Sequence, residues 1–149
     1  MSYGFRLKFN IEGVPELSRI LLTEYKKLTD FRKPLYKSAE LILADVERNF
    51  ETEGGLVGGW KPLSAGTVAG RIREGFGAHP ILQKTGALRK SFYSIVDSKR
   101  AFISARSPYY PFHQSRMPRT RLPRRPMLSL VDRTKQNIVE EFHKFVRFK

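Results

Sequence analysis

One long stretch of helical periodicity sets the frame for the whole chain. From Pro34 to about Thr52, Leu35, Ala39, Ile42, Leu43, Val46 and Phe50 recur every three or four residues, and no glycine interrupts them. Such spacing lays a single apolar stripe along an α-helix. Lys37, Glu40, Asp45, Glu47 and Arg48 fall mostly off that stripe. Its carboxylates therefore read as a solvated face and not as a metal or acid–base site. A helix with so long a stripe needs a partner surface, and the rest of the chain must supply it.

Upstream, Phe5, Leu7, Phe9 and Ile11 alternate with Arg6, Lys8 and Asn10, the period of a half-buried strand. Gly13 and Pro15 close it, and a helix over about 15–29 follows, with Leu17, Ile20, Leu21, Tyr25 and Leu28 on one face. Asp30 is placed to cap the next segment. Downstream, Gly54, Gly55, Gly58 and Gly59 predict a flexible connection over 53–63, in which Trp60 anchors the end of the loop on the core. These glycines do not form a phosphate-cradling loop, because no Gly-Lys-Ser/Thr ending follows them. Ser64 is a natural N-cap for a short helix from Ala65 to about Glu74. Thr85 can cap one helical turn carrying Ala87 and Leu88. Phe92 to Val96 and Ala101 to Ala105 then alternate around the turn-rich Asp97-Ser98-Lys99-Arg100, which predicts an antiparallel hairpin. A last helix is expected over about 131–146, with Val131, Ile138, Val139, Phe142 and Phe145 on its apolar face.

The order of these elements indicates a single α+β domain over 1–149: a small antiparallel sheet (the N-terminal strand plus the hairpin near 92–105) packed on two long helices (about 15–29 and 34–52), with a C-terminal helix. A chain of 149 residues is long enough for one domain with a real core. The absence of cysteine excludes a disulfide framework, thiol catalysis and Cys-ligated metal sites, and fits a reducing compartment. No apolar run approaches the roughly 20 residues of a membrane span, and the start has no signal-peptide core. Neither membrane contact nor a cofactor is expected.

Between hairpin and last helix lies the most unusual stretch, Tyr109 to Met127. It carries Arg116, Arg119, Arg121, Arg124 and Arg125 with no acidic residue among them, and Pro118, Pro123 and Pro126 bar a regular helix through it. It reads as an extended, cationic, exposed segment, with 115–125 flexible and ordering against a neighbour. The chain as a whole carries a formal net charge of +14, which points to a polyanionic partner, an acidic protein surface, or assembly beside nucleic acid.

Three separated stretches form a recognisable pattern. They are Gly59-Trp60-Lys61-Pro62-Leu63-Ser64 with Thr67 behind it; Ile81 to Phe92, containing Leu82, Thr85, Gly86 and Leu88; and Tyr109 to Gln114, containing Tyr110 and His113, followed by Leu122 to Leu128 with Pro123, Arg125 and Pro126. In order and spacing, from about residue 40 onward, they resemble the virion morphogenesis, or tail completion, proteins of tailed bacteriophages, the Mu-like branch in particular. The sequence departs from that pattern after Gln114, where Ser115 and Arg116 replace the usual glycine and an arginine-rich insert follows. The resemblance implies a non-enzymatic structural protein of the virion tail or neck, assembled in the host cytoplasm. It also implies a homo-oligomeric ring, hexameric in that family, docked on the tail tube or the head connector.

Little supports other chemistry. His113 has no carboxylate near it in sequence, and His79 and His143 stand at unrelated positions. A hydrogen-bonded structural histidine is therefore the expected role of His113, because general acid–base work needs a partnered, positioned group. Three scattered histidines match no zinc-ligand spacing. The arginines leave three readings open: phosphate contacts, fork-type ion pairs to a neighbouring subunit or tail protein, or a solvated loop. Arg125, before Pro126, is the one expected to be structurally fixed. If copies close into a ring with these arginines inward, the lumen is positive and touches the passing genome without reading its sequence. A basic nucleic-acid-binding protein is the alternative function.

Overall fold

A computed structural model describes residues 14–116 and 122–147, with only the backbone described at 14–17 and Lys27. The strand expected at 5–11, and Arg119 and Arg121, lie outside the described residues. The architecture is α+β, in one small domain with five helices and a two-stranded antiparallel sheet. In chain order these are α1 (Val14–Thr29), α2 (Arg32–Glu51), α3 (Ala65–Arg73), β1 (Phe92–Val96), β2 (Ala101–Ala105), α4 (Tyr110–Gln114) and α5 (Asp132–Val146). Short 3-10 turns occupy Gly55–Val57 and Arg89–Ser91.

The stripe read on α2 is the centre of the molecule. α5 and both strands pack along it. Val46 and Phe50 join Trp60, Ile81, Leu88 and Met127 in the core, with Val57, Leu63, Leu82, Phe92, Tyr110 and Leu128 packed around them. Four rings stack edge-on through this cluster: Trp60 on Phe50 (centroids 5.4 Å apart), Phe50 on Phe92 (5.9 Å) and Phe92 on Tyr110 (5.4 Å). Edge-to-face contact sets the positive ring edge against the negative face and adds to the area buried.

At the other end of α2, Phe31 sits between Phe142 and Phe145 of α5, and its N–H donates to the Ser98 carbonyl at the hairpin turn (2.8 Å). Asp30 accepts from the Arg32 backbone N–H (3.0 Å) as α2 begins, and the Arg32 hydrogen bonds lower its carboxyl to about 2. The hairpin register pairs Phe92 with Ala105 and Val96 with Ala101, as the alternation predicts.

Two readings need correction. The carboxylates of α2 are not uniformly solvated: Asp45 is buried and accepts from the Thr134 hydroxyl of α5. Asp45 and Asn49 are four residues apart and flank Val46 and Phe50, so the helical turn itself carries them inward. The second concerns 109–127, which is not wholly an exposed extended arm. It begins as the helix α4, with Pro111 tolerated in the first turn, and Met127 is fully buried.

Candidate functional site

The three sequence stretches singled out above meet at one place, a strap formed by Pro123 to Ser129. Two of them, and helix α2, hold it by side-chain hydrogen bonds. From the first stretch, the Trp60 indole N–H donates to the Pro126 carbonyl (2.9 Å). From the third, Gln114 works as a two-sided clamp: its oxygen accepts from the N–H groups of Met127 and Leu128 (3.0 Å each), and its amide nitrogen donates to the Leu128 carbonyl (2.7 Å). From α2, Asn49 donates to the Met127 carbonyl (2.9 Å) and the Ser129 hydroxyl (3.1 Å), while its oxygen accepts from Leu56 N–H (3.2 Å). Irregular backbone can enter a core only when its polar groups are paired, and side chains do the pairing here.

Arg125 closes the arrangement from within. It is only 3 % exposed, and its guanidinium donates to the carbonyls of Lys61 (2.7 Å) and Pro62 (2.8 Å) while its backbone N–H donates to the His113 carbonyl (3.1 Å). One side chain thus ties the Trp60 loop to the strap. The other arginines are placed differently. Arg116 and Arg124 are exposed, and Arg124 reaches back to the Gln114 carbonyl (3.3 Å).

The second stretch supplies the floor. Leu88 is buried, Leu82 has a left-handed φ of +60°, and Gly86 sits at +72°, where glycine is at ease. Thr85 accepts from Ala87 N–H (3.3 Å), and Gln83 donates to the Phe50 carbonyl (2.7 Å). Arg89 is held by Glu47 and Glu51 of α2. Glu53 anchors the loop before this stretch, accepting from Ile81 N–H (2.6 Å) and contacting the His79 imidazole (2.7 Å).

Between α3, the 82–91 segment and the strap lies an open cavity of about 1210 Å³. Pro62, Leu63, Leu82, Thr85, Leu88 and Pro123 lie in its walls together with Lys61, Arg71, Lys84, Arg106 and Arg125; Glu74 is the one acid among them, and Lys84 holds it. His113 is 8 % exposed at its edge. Burial first, and the Arg125 charge second, push its imidazole below the ordinary value, while a hydrogen bond to the Pro123 backbone acts in the opposite direction. Its Nδ1 has no partner, and neither has Nε of Arg71, which is 7 % exposed.

The sequence reading missed Asn49, Asp45 and Arg71. The first two were legible from their register on the α2 stripe. Arg71 carried no signal, since its burial arises from chain segments remote in sequence.

Among the described residues no helix is long and apolar enough to cross a membrane, and no three potential metal ligands are gathered together. Comparison with curated proteins and with solved structures gave no match. The family model for phage virion morphogenesis proteins matches residues 14–147, most of the chain and every residue of the strap. The chain therefore belongs to the phage virion morphogenesis family.

Proposed function

We propose that the protein is a structural tail-completion component that closes into a homo-oligomeric ring and joins the phage tail to the head. Membership of a virion morphogenesis family supports a structural role in the particle. The observation that carries the assembly reading is α1. Its apolar residues face solvent: Ile20, Leu21, Leu22, Tyr25 and Leu28 are all among the exposed large hydrophobics, with Leu22 60 % exposed. A helix that leaves a whole apolar stripe uncovered calls for a neighbour to bury it, because contiguous apolar surface on a lone soluble protein is costly. The tail tube and the head connector are the partners this role needs.

Native mass spectrometry of the purified protein tests it. A discrete oligomer is expected, and Leu21→Glu with Tyr25→Glu should reduce it to monomer while the circular dichroism spectrum is kept. A wild-type protein that stays monomeric at all concentrations removes the ring.

The net charge of +14 supports a second, compatible reading in which Arg116 and Arg124 approach the genome in the lumen. DNA binding would then weaken steeply with salt, as counterions compete for the phosphates. Binding indifferent to salt would remove the genome contact.

A further inference from the structure

We propose that the cavity between α3, the 82–91 segment and the strap is the docking site for an acidic, partly apolar peptide segment of a neighbouring virion protein. That the partner belongs to the virion rests on the assembly reading above; the chemistry of the segment rests on the cavity alone.

Three observations define the occupant. The cavity, about 1210 Å³, joins apolar walls to four cationic side chains besides the paired Lys84 and Glu74. A ligand that fills it must bring both apolar groups and negative charge. Next, two polar atoms of lining residues are buried without partners, Arg71 Nε and His113 Nδ1. The guanidinium N–H is a donor and needs an acceptor. The imidazole nitrogen is a donor or an acceptor according to its tautomer. A peptide offers carboxylates to the cationic wall and both N–H and carbonyl groups to the polar atoms of the lining. The phosphodiester backbone of DNA offers acceptors only.

The third observation concerns a second copy of this chain. Its described carboxylates are nearly all engaged internally: Asp30, Glu40, Glu47, Glu51, Glu53, Glu74, Asp97, Asp132 and Glu141 in ion pairs, Asp45 with Thr134. Among its described residues another copy has little unpaired negative charge to lend, which favours a segment from a different protein.

Gly70 gives a clean way to block the site. It lies on α3 in the cavity wall, and a Cβ added there meets nothing within 4 Å. Gly70→Phe therefore starts from open space at its Cβ and adds a ring to the cavity wall, and replacing a helical glycine favours the helix. The probe is a short fluorescein-labelled peptide of alternating glutamate and leucine, followed by fluorescence anisotropy. Saturable binding is expected to the wild type, about tenfold or more weaker to Gly70→Phe and to Arg71→Gln, with no binding of a lysine–leucine peptide. Equal affinity of the wild type and a folded Gly70→Phe, or no binding of the acidic peptide at all, overturns the proposal. So does duplex DNA that displaces the peptide and loses affinity equally in Gly70→Phe, which would make the occupant nucleic acid. A Gly70→Phe variant that loses its oligomer while peptide affinity is unchanged would make the occupant another copy. Native mass spectrometry of the same wild-type sample separates the two readings: a monomer that binds the peptide refutes the ring and keeps the docking site.

Discussion

At the scale of single residues, Arg125 illustrates how a charge becomes part of a core. Its guanidinium is buried against two backbone carbonyls and not against a carboxylate. Truncation would leave both carbonyls without this partner. Arg125→Ala should therefore cost about 2–4 kcal/mol in denaturant unfolding, since hydrogen bonds to charged groups are worth more than neutral ones. Arg125→Lys should recover only part of this, because an ammonium does not reproduce the planar fork.

The glycines of the Trp60 loop separate backbone strain from steric contact. Gly54 and Gly58 both have left-handed φ, +88° and +83°. A Cβ at Gly54 would stand 2.3 Å from the Trp60 ring, whereas at Gly58 it meets nothing within 4 Å. Gly58→Ala should cost roughly 1 kcal/mol from conformation alone, and Gly54→Ala about 3 kcal/mol or more, as strain and overpacking add. Equal losses in the two melting curves would contradict this account.

His113 contributes a pH dependence of definite sign. Its folded-state pKa lies below the ordinary 6.5, chiefly through burial. The unfolded chain thus binds the proton more readily, and the stability conferred by a neutral buried imidazole is complete above about pH 6.5 and is lost as pH falls through the folded value. His113→Gln should flatten the fall in melting temperature on acidification. An unchanged slope would place the titration elsewhere.

Among the elements, α3 shows how local signals and long-range packing divide the work. Its start is written in the sequence: the Ser64 hydroxyl accepts from Thr67 N–H (3.3 Å). Ser64→Ala should lower stability by about 1 kcal/mol, the usual worth of an N-cap, measurable by chemical denaturation. What α3 builds is not local. Arg71 on this helix donates to the Pro80 carbonyl (3.2 Å) and faces a cavity whose far wall is the strap. The hairpin was legible for the same kind of reason as the cap, since period-two alternation around Asp97 specifies both strands and their register. α4 was not, because five residues are too few to display a period, and Pro111 reads equally well as a turn.

For the whole molecule, the division between core and exposed apolar surface is the informative feature. α2 is covered by α5, by the hairpin and by the loop after it, whereas α1 presents its stripe to solvent. If a neighbour buries that stripe, assembly binds only the folded form, and mass action raises the melting temperature with protein concentration. A melting temperature independent of concentration over about two decades would contradict assembly through α1.

By itself the sequence determined what depends on near neighbours: the α2 stripe, the Ser64 cap, the hairpin alternation and the excess of arginine. Periodicity and capping act over a few residues, so they are readable along the chain. Only the tertiary structure decided which arginine is buried, which groups Asp45 and Asn49 pair with, and that three distant stretches converge on one strap beside a basic cavity. Those outcomes depend on which polar groups find partners when segments some 60 to 80 residues apart are brought together, as Trp60 with Pro126 and Asn49 with Met127 are. Pairing of that kind has no local signature.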